Sequence, residues 1–107
     1  LWTFTNNGNT KTPRVRFGGT SGTLYESLTV TNLATCQNIA IIRNVNSESA
    51  QVGGYSGTVP FSTSTNSPVT STVDTSSDTT VVLSNQKATA TDNFALEAFS
   101  IMVKPAW

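Results

Sequence analysis

Glu26 and Glu97 are the residues with which this chain could do acid–base work. They sit in "LYESL" and "ALEAF", stretches patterned as strands, with large aliphatic neighbours. Glycosidases place two carboxyls across a sugar, and apolar surroundings raise a carboxyl pKa, so the pair fits a cleavage site in principle. A structural role fits each better, at a strand edge or paired with Arg43 or Lys104. Other chemistries lack their residues. The sequence has no histidine, which removes the Ser-His-Asp and Cys-His nucleophile systems. Its single cysteine, Cys36, cannot build a zinc site and reads as a small buried apolar residue. "FGGTSG" opens no helix, so it is a turn rather than a phosphate loop. Asp74, Asp78 and Asp92 fall at strand ends, where aspartate caps turns; calcium would need several in one loop. No catalytic residue, metal site or cofactor is assigned, and a non-enzyme is expected.

Binding chemistry has more to work with. Sugar-binding sandwiches stack ligands on exposed aromatic rings and fix them with amide and guanidinium hydrogen bonds. Tyr25 and Tyr55 are the candidate platforms, with Asn44, Asn46 and Gln51 as polar partners. Trp2 and Trp107 are further aromatic candidates, although Trp2 alternates with Phe4 as core residues do. Arg43 ends an aliphatic run and begins "NVNSESAQVGG". A guanidinium there can tie together the carbonyls of an irregular loop or pair with Glu48, Glu97 or Glu26. Continuing the face of Ile39 and Ile41, it is expected to be a buried strut.

The elements that must position these residues are strands, because period-2 alternation recurs and no helical period does. "LWTF" puts Trp2 and Phe4 on one face, and "NNGN" turns the chain. "RVRF" sends Val15 and Phe17 inward and the arginines outward. In "LYESLTVT", Leu24, Glu26, Leu28 and Val30 share a face, opposite Tyr25, Ser27, Thr29 and Thr31. "QNIAIIRNV" reads as a central strand, apolar on both faces and therefore covered on both. From Asn46 to Pro68 the chain reads as loop around one short strand near Val59 to Ser62. "VTSTVDT", "TTVVLSNQKA" and "NFALEAFSIMV" complete the set. In the last, Phe94 and Leu96 are out of phase with Phe99, Ile101 and Val103. Either a bulge lies near Glu97 and Ala98, or both faces are buried. Seven or eight short strands over residues 1–107 predict a single all-β domain, an antiparallel β-sandwich of jelly-roll kind.

Composition narrows the setting. The 107 residues are enough for one core. Only 11% are charged, six of each sign, so the basic surplus that phosphate-backbone binding needs is missing and nucleic acid is excluded as a partner. Serine and threonine supply about 30% of the chain, a hydroxyl-rich surface suited to strands and turns and to an extracellular or virion-surface protein. No segment reaches the ~18 apolar residues of a spanning helix, so no membrane insertion is expected. The chain opens without an initiator methionine, charged leader or signal core, which suggests a start inside a longer protein or trimming to the ordered part.

"IIRNVNSESAQVGG" followed by "TSTVDTSSDTTVVLSNQKATATDNFALEAFSIMV" resembles the C-terminal β-sandwich domains of bacteriophage tail fibres and tailspikes. There an R-N-x-N-S element precedes a "VDTSxDxTVxL" strand pair, an N/Q-x-A turn and a terminal "xxLExFxIxV" strand. The likeness covers roughly residues 36 to 104 and leaves the first third unsupported. It implies a homotrimeric virion appendage, for trimerisation and folding or for contact with a host surface glycan. It implies no catalytic residues, and makes Glu97, the acid of "LEAF", structural. The alternative is a monomeric carbohydrate-binding module of a secreted glycoside-active enzyme, whose last strand can look alike.

Overall fold

The computed structural model describes residues 1–54 and 65–104, and among these there is no helix. Nine short strands occur in this part: β1 (Trp2–Phe4), β2 (Lys11–Phe17), β3 (Thr23–Ser27), β4 (Thr35–Cys36), β5 (Ile42–Asn44), β6 (Gln51–Gly53), β7 (Val69–Ser71), β8 (Val81–Lys87) and β9 (Phe94–Leu96). They form three antiparallel sheets in the orders β4-β1-β9, β3-β2-β8 and β5-β6-β7. The all-β antiparallel class expected from the alternation is what the chain adopts, in an arrangement compatible with a sandwich.

β2 shows why. Lys11, Pro13, Val15 and Phe17 alternate into the interior while Arg14 and Arg16 take the other face. Its whole length pairs with β8, from Lys11↔Lys87 to Phe17↔Val81. The loop into β3 turns at Gly18 and Gly19, whose φ of 95° and 99° favour residues without a Cβ. β3 then carries a bulge: Val15 faces Glu26 but Arg16 faces Leu24, leaving Tyr25 as the extra residue. The bulge moves Leu24 off the face of Glu26, which corrects the shared face expected for them.

The core lies between the first two sheets. Trp2, Phe4, Leu28, Val30 and Cys36 are buried together, with Leu83, Phe94 and Leu96 packed against them. Phe94 meets Trp2 and Phe4 edge-to-face, with centroids 5.2 and 4.7 Å apart. Cys36 is buried as read, and Trp2 is core rather than platform.

Three expectations fail. "QNIAIIRNV" is not one central strand. Residues 37–41 pair with no strand, and Ile39 is 60% exposed because the chain there crosses from β4 to β5. The stretch read as loop contains β6, short enough that Gln51–Gly53 gives no periodic signal. The last strand stops at Leu96, so the phase change reflects neither a bulge nor a doubly buried strand. Phe99, Ile101, Met102 and Val103 lie beyond it, exposed, Met102 by 79% and Val103 by 88%. The strand expected near Val59 to Ser62 falls outside the described residues, as do Tyr55 and Trp107.

Candidate functional site

The polar residues singled out for ligand binding, Asn44, Asn46 and Gln51, do come together at the hairpin of β5 and β6, with Gln51 alone facing inward. Arg43 stands opposite Val52 and Asn44 opposite Gln51. The six-residue turn closes with Val45 N donating to Ala50 O at 2.8 Å. Asn46 occupies its left-handed position, φ 55°, a conformation that asparagine tolerates better than most residues. Asn46 is therefore an exposed turn former.

Gln51 is buried and ties β5, β6 and the chain after β7 together. Its amide donates to Asn44 Oδ1 (2.9 Å), Glu48 O (3.2 Å) and Val73 O (2.8 Å). Its Oε1 accepts from Ser71 Oγ and Val73 N, both at 2.9 Å. Because Ser71 spends its one hydroxyl proton on Gln51, the 2.7 Å contact between Ser71 Oγ and Tyr25 Oη requires Tyr25 to be the donor. Tyr25 is equally buried, edge-on to Phe17 at 6.4 Å. A Cβ on Gly53 would come within 2.7 Å of the Tyr25 ring and 2.8 Å of Ile41 O. Gly53 thus permits β6 to lie against the ring. Tyr25 and Gln51, expected as ligand contacts, are buried links in a chain joining two sheets.

Of the original set, Asn44 and Asn46 remain at the surface, and Asn44 Nδ2 donates to Thr75 Oγ1 at 2.7 Å. Beside them runs an open groove of about 500 Å³, with Val45, Ala50 and Val52 as its apolar wall and Thr70 and Thr72 as its hydroxyl-bearing wall. Arg43 is exposed, and its guanidinium makes no hydrogen bond or ion pair with a described residue. The buried strut expected there is absent because the Ile39 and Ile41 face it continues is itself outside the core.

The strut exists elsewhere. Lys11, only 1% exposed, sends its ammonium to Thr5 O (2.7 Å), Asn7 Oδ1 (2.5 Å) and Asp92 Oδ2 (3.5 Å). Asn7 Nδ2 also donates to Asp92 Oδ1 at 2.8 Å. The Asn7 hydrogen bond, aided by the Lys11 charge, holds the Asp92 carboxyl below its usual value. Lys87 Nζ fixes the same loop by donating to Asp92 O at 2.7 Å. The alternation of "TPRVRF", carried back to residue 11, would have placed Lys11 inward, but nothing local names Asp92 as its partner.

Glu26 is the opposite case. It is 2% exposed, and neither carboxyl oxygen has a hydrogen-bond partner. Burial pushes its pKa up to about 7, the adjacent Asn38 amide offsetting this only in part. Asn38 is itself held by Trp2, whose Nε1 donates to Asn38 Oδ1 at 3.1 Å. Burial, then the charge of Glu26, raise the pKa of the Cys36 thiol, and the chain's terminal ammonium counteracts in part. Glu97 is exposed and accepts a hydrogen bond from Thr3 Oγ1 at 2.5 Å. One carboxyl sealed in the core and one on the surface do not flank a common opening, so the Glu26–Glu97 pair is not assembled. Asp74 caps its turn, accepting from Ser76 N and Oγ, which lowers its pKa. Among the described residues no group of three or more acids and cysteines could hold a metal ion.

No family model matches the chain, and neither a curated protein nor a solved structure does.

Proposed function

We propose that this chain is a non-catalytic domain of a virion appendage, of the tail-fibre or tailspike kind, that associates as a homotrimer and can present its surface to host glycan. The observation that carries the reading is the apolar run after β9. Phe99, Ile101, Met102 and Val103 are exposed in one short segment, and Ile39 and Ile41 are exposed in another. Scattered exposed aliphatics are ordinary, but a strand-patterned run of them is a surface that association would cover. Glycan contact would draw on the groove beside Asn44 and Asn46, with its threonine hydroxyls and the free Arg43 guanidinium.

The competing class, a monomeric carbohydrate-binding module, needs an exposed aromatic platform. Trp2 and Tyr25 are in the core and do not supply one, while Tyr55 and Trp107 lie outside the described residues. Multi-angle light scattering at micromolar concentration separates the two. The proposal expects three chains per particle, and dissociation of that particle by Ile101→Asp. A monomer at every concentration would sink it.

A further inference from the structure

Glu26 lies under the shortest strand among the described residues. β4 is two residues long and pairs with β1 at Trp2↔Cys36 and Thr3↔Thr35, with Phe4 N donating to Ala34 O just before it. The five residues after it belong to no strand, yet Asn38 among them sits beside the Glu26 carboxyl, moored by the Trp2 indole. β3, which carries Glu26, is by contrast paired with β2 at four positions. A carboxylate with both oxygens sealed and unbonded must reach water or a proton, and the shortest element covering it is the easiest to displace.

We propose that Glu26 is the latch of a pH-gated segment: residues 35–41 stay closed over the carboxyl while it is protonated and open when it ionises, uncovering Cys36. The groups facing it leave no other outlet. From β4 the neighbour is the Cys36 thiol, and the Leu1 ammonium acts on that thiol while donating to Ala98 O. Lys11 shares the inner face of its sheet but stands four residues along β2 from Val15, the partner of Glu26. That is about 13 Å at ~3.3 Å per residue, and Lys11 is committed to Asp92. Arg14 and Arg16 occupy the opposite face of β2, and Glu97 is held by Thr3 at the surface. The raised pKa agrees with this geometry and sets the window near neutrality. The latch belongs to a single chain and stands whether or not copies associate.

Cys36 is the only cysteine, so its labelling reports the opening directly. Rates of alkylation in the folded chain, each divided by the rate in denaturant at the same pH, remove the ordinary titration of the thiol. Between pH 5 and 8 the normalised rate should rise on the order of a hundredfold in the wild type, following the proton released on opening. It should stay flat in Glu26→Gln, and at every pH the opening that labels Cys36 should be more frequent than the opening that lets β2 and β8 exchange hydrogen. No rise in the wild type, an equal rise in Glu26→Gln, or labelling of Cys36 no more frequent than exchange in β2 and β8 would overturn the latch. Should Glu26→Gln fail to fold, isotope-edited infrared spectroscopy of the wild type decides. A protonated carboxyl band at pH 6 that vanishes over the labelling transition supports the proposal, and its absence at pH 6 refutes it.

Discussion

Lys11 and Glu26 stand on the inner face of the same sheet, both buried and of opposite sign, and the fold treats them differently. The lysine lies at the start of β2, where a long side chain reaches back into the loop between β1 and β2. It finds a carbonyl and an amide oxygen there, and the Asp92 carboxylate from the loop between β8 and β9. The glutamate lies within β3, beside the Asn38 amide, yet neither of its carboxyl oxygens completes a hydrogen bond. A charge taken out of water survives only with its hydrogen-bonding capacity filled. Lys11 satisfies that condition with neighbours; Glu26 meets it by keeping a proton. The consequence is one pair that stiffens the loops and one group that makes stability depend on pH.

The largest expected effect comes from removing the filled member. Lys11→Met keeps the stem but leaves the Asp92 carboxylate without its cation and Thr5 O without the ammonium, while Asn7 keeps Asn9 N and Asp92 as partners. Breaking a buried pair from one side typically costs about 3–5 kcal/mol, and urea unfolding at pH 6 should show a loss of that order. A loss below about 1 kcal/mol would mean that the loop polar groups reach water easily. The same network has a pH signature. The Asp92 pKa is depressed in the folded chain, so its contribution is present above the ordinary carboxylate range and lost as pH falls through the folded value. The acid limb of the stability curve should therefore weaken in Lys11→Met.

Glu26→Gln tests the other member, with the opposite sign. The folded pKa, about 7, exceeds the ordinary value of 4.5, so the stability it confers is complete below pH 4.5 and disappears as pH rises through 7. Wild-type stability by urea unfolding should fall between pH 5 and pH 8.5, while the variant's should not. Equal slopes for the two proteins would remove Glu26 as the cause.

The contrast also marks where sequence stopped being informative. Alternation in "KTPRVRF" and "LWTF" is a local property, and it located β1, β2 and the core aromatics Trp2, Phe4 and Phe17. Lys11 was within reach of the same pattern, yet lysines are rarely buried and its partner comes from the far end of the chain. Tyr25, Glu26 and Gln51 depended on a one-residue bulge and on a three-residue strand, features too short to leave a period. "IAII" misled for a related reason: hydrophobicity alone does not say whether a segment is covered, and Ile39 and Ile41 are not.

A smaller effect is expected where the hydrogen bonds are uncharged. Gln51→Leu fills much of the same volume but leaves Ser71 Oγ and Val73 N without their acceptor and Val73 O without a donor. Leaving buried polar groups unpaired costs about 1–3 kcal/mol. Because Ser71 also receives the Tyr25 hydroxyl, the pair Gln51→Leu and Tyr25→Phe should be non-additive in a double-mutant cycle. Additive losses would show that the chain of hydroxyls is three separate contacts.

The smallest effect belongs to Arg43. Its position after "AII" suggested a buried guanidinium bracing the hairpin, but the bracing is done by Gln51 from the facing position of the next strand pair, Asn44↔Gln51. Arg43 faces Val52 in the β5–β6 ladder, and its guanidinium shares no hydrogen bond with a described residue. Substitutions at such surface positions usually change stability by less than about 0.5 kcal/mol. Arg43→Ala should accordingly leave the urea midpoint unchanged at pH 6 and pH 8.5 alike, in contrast to Lys11→Met and Glu26→Gln. A loss of more than about 1 kcal/mol would restore the strut and show that the guanidinium braces the hairpin through a contact of its own. With stability unaffected, any loss of glycan binding in Arg43→Ala would belong to the surface and not to the fold, because a guanidinium offers several donors to a ligand.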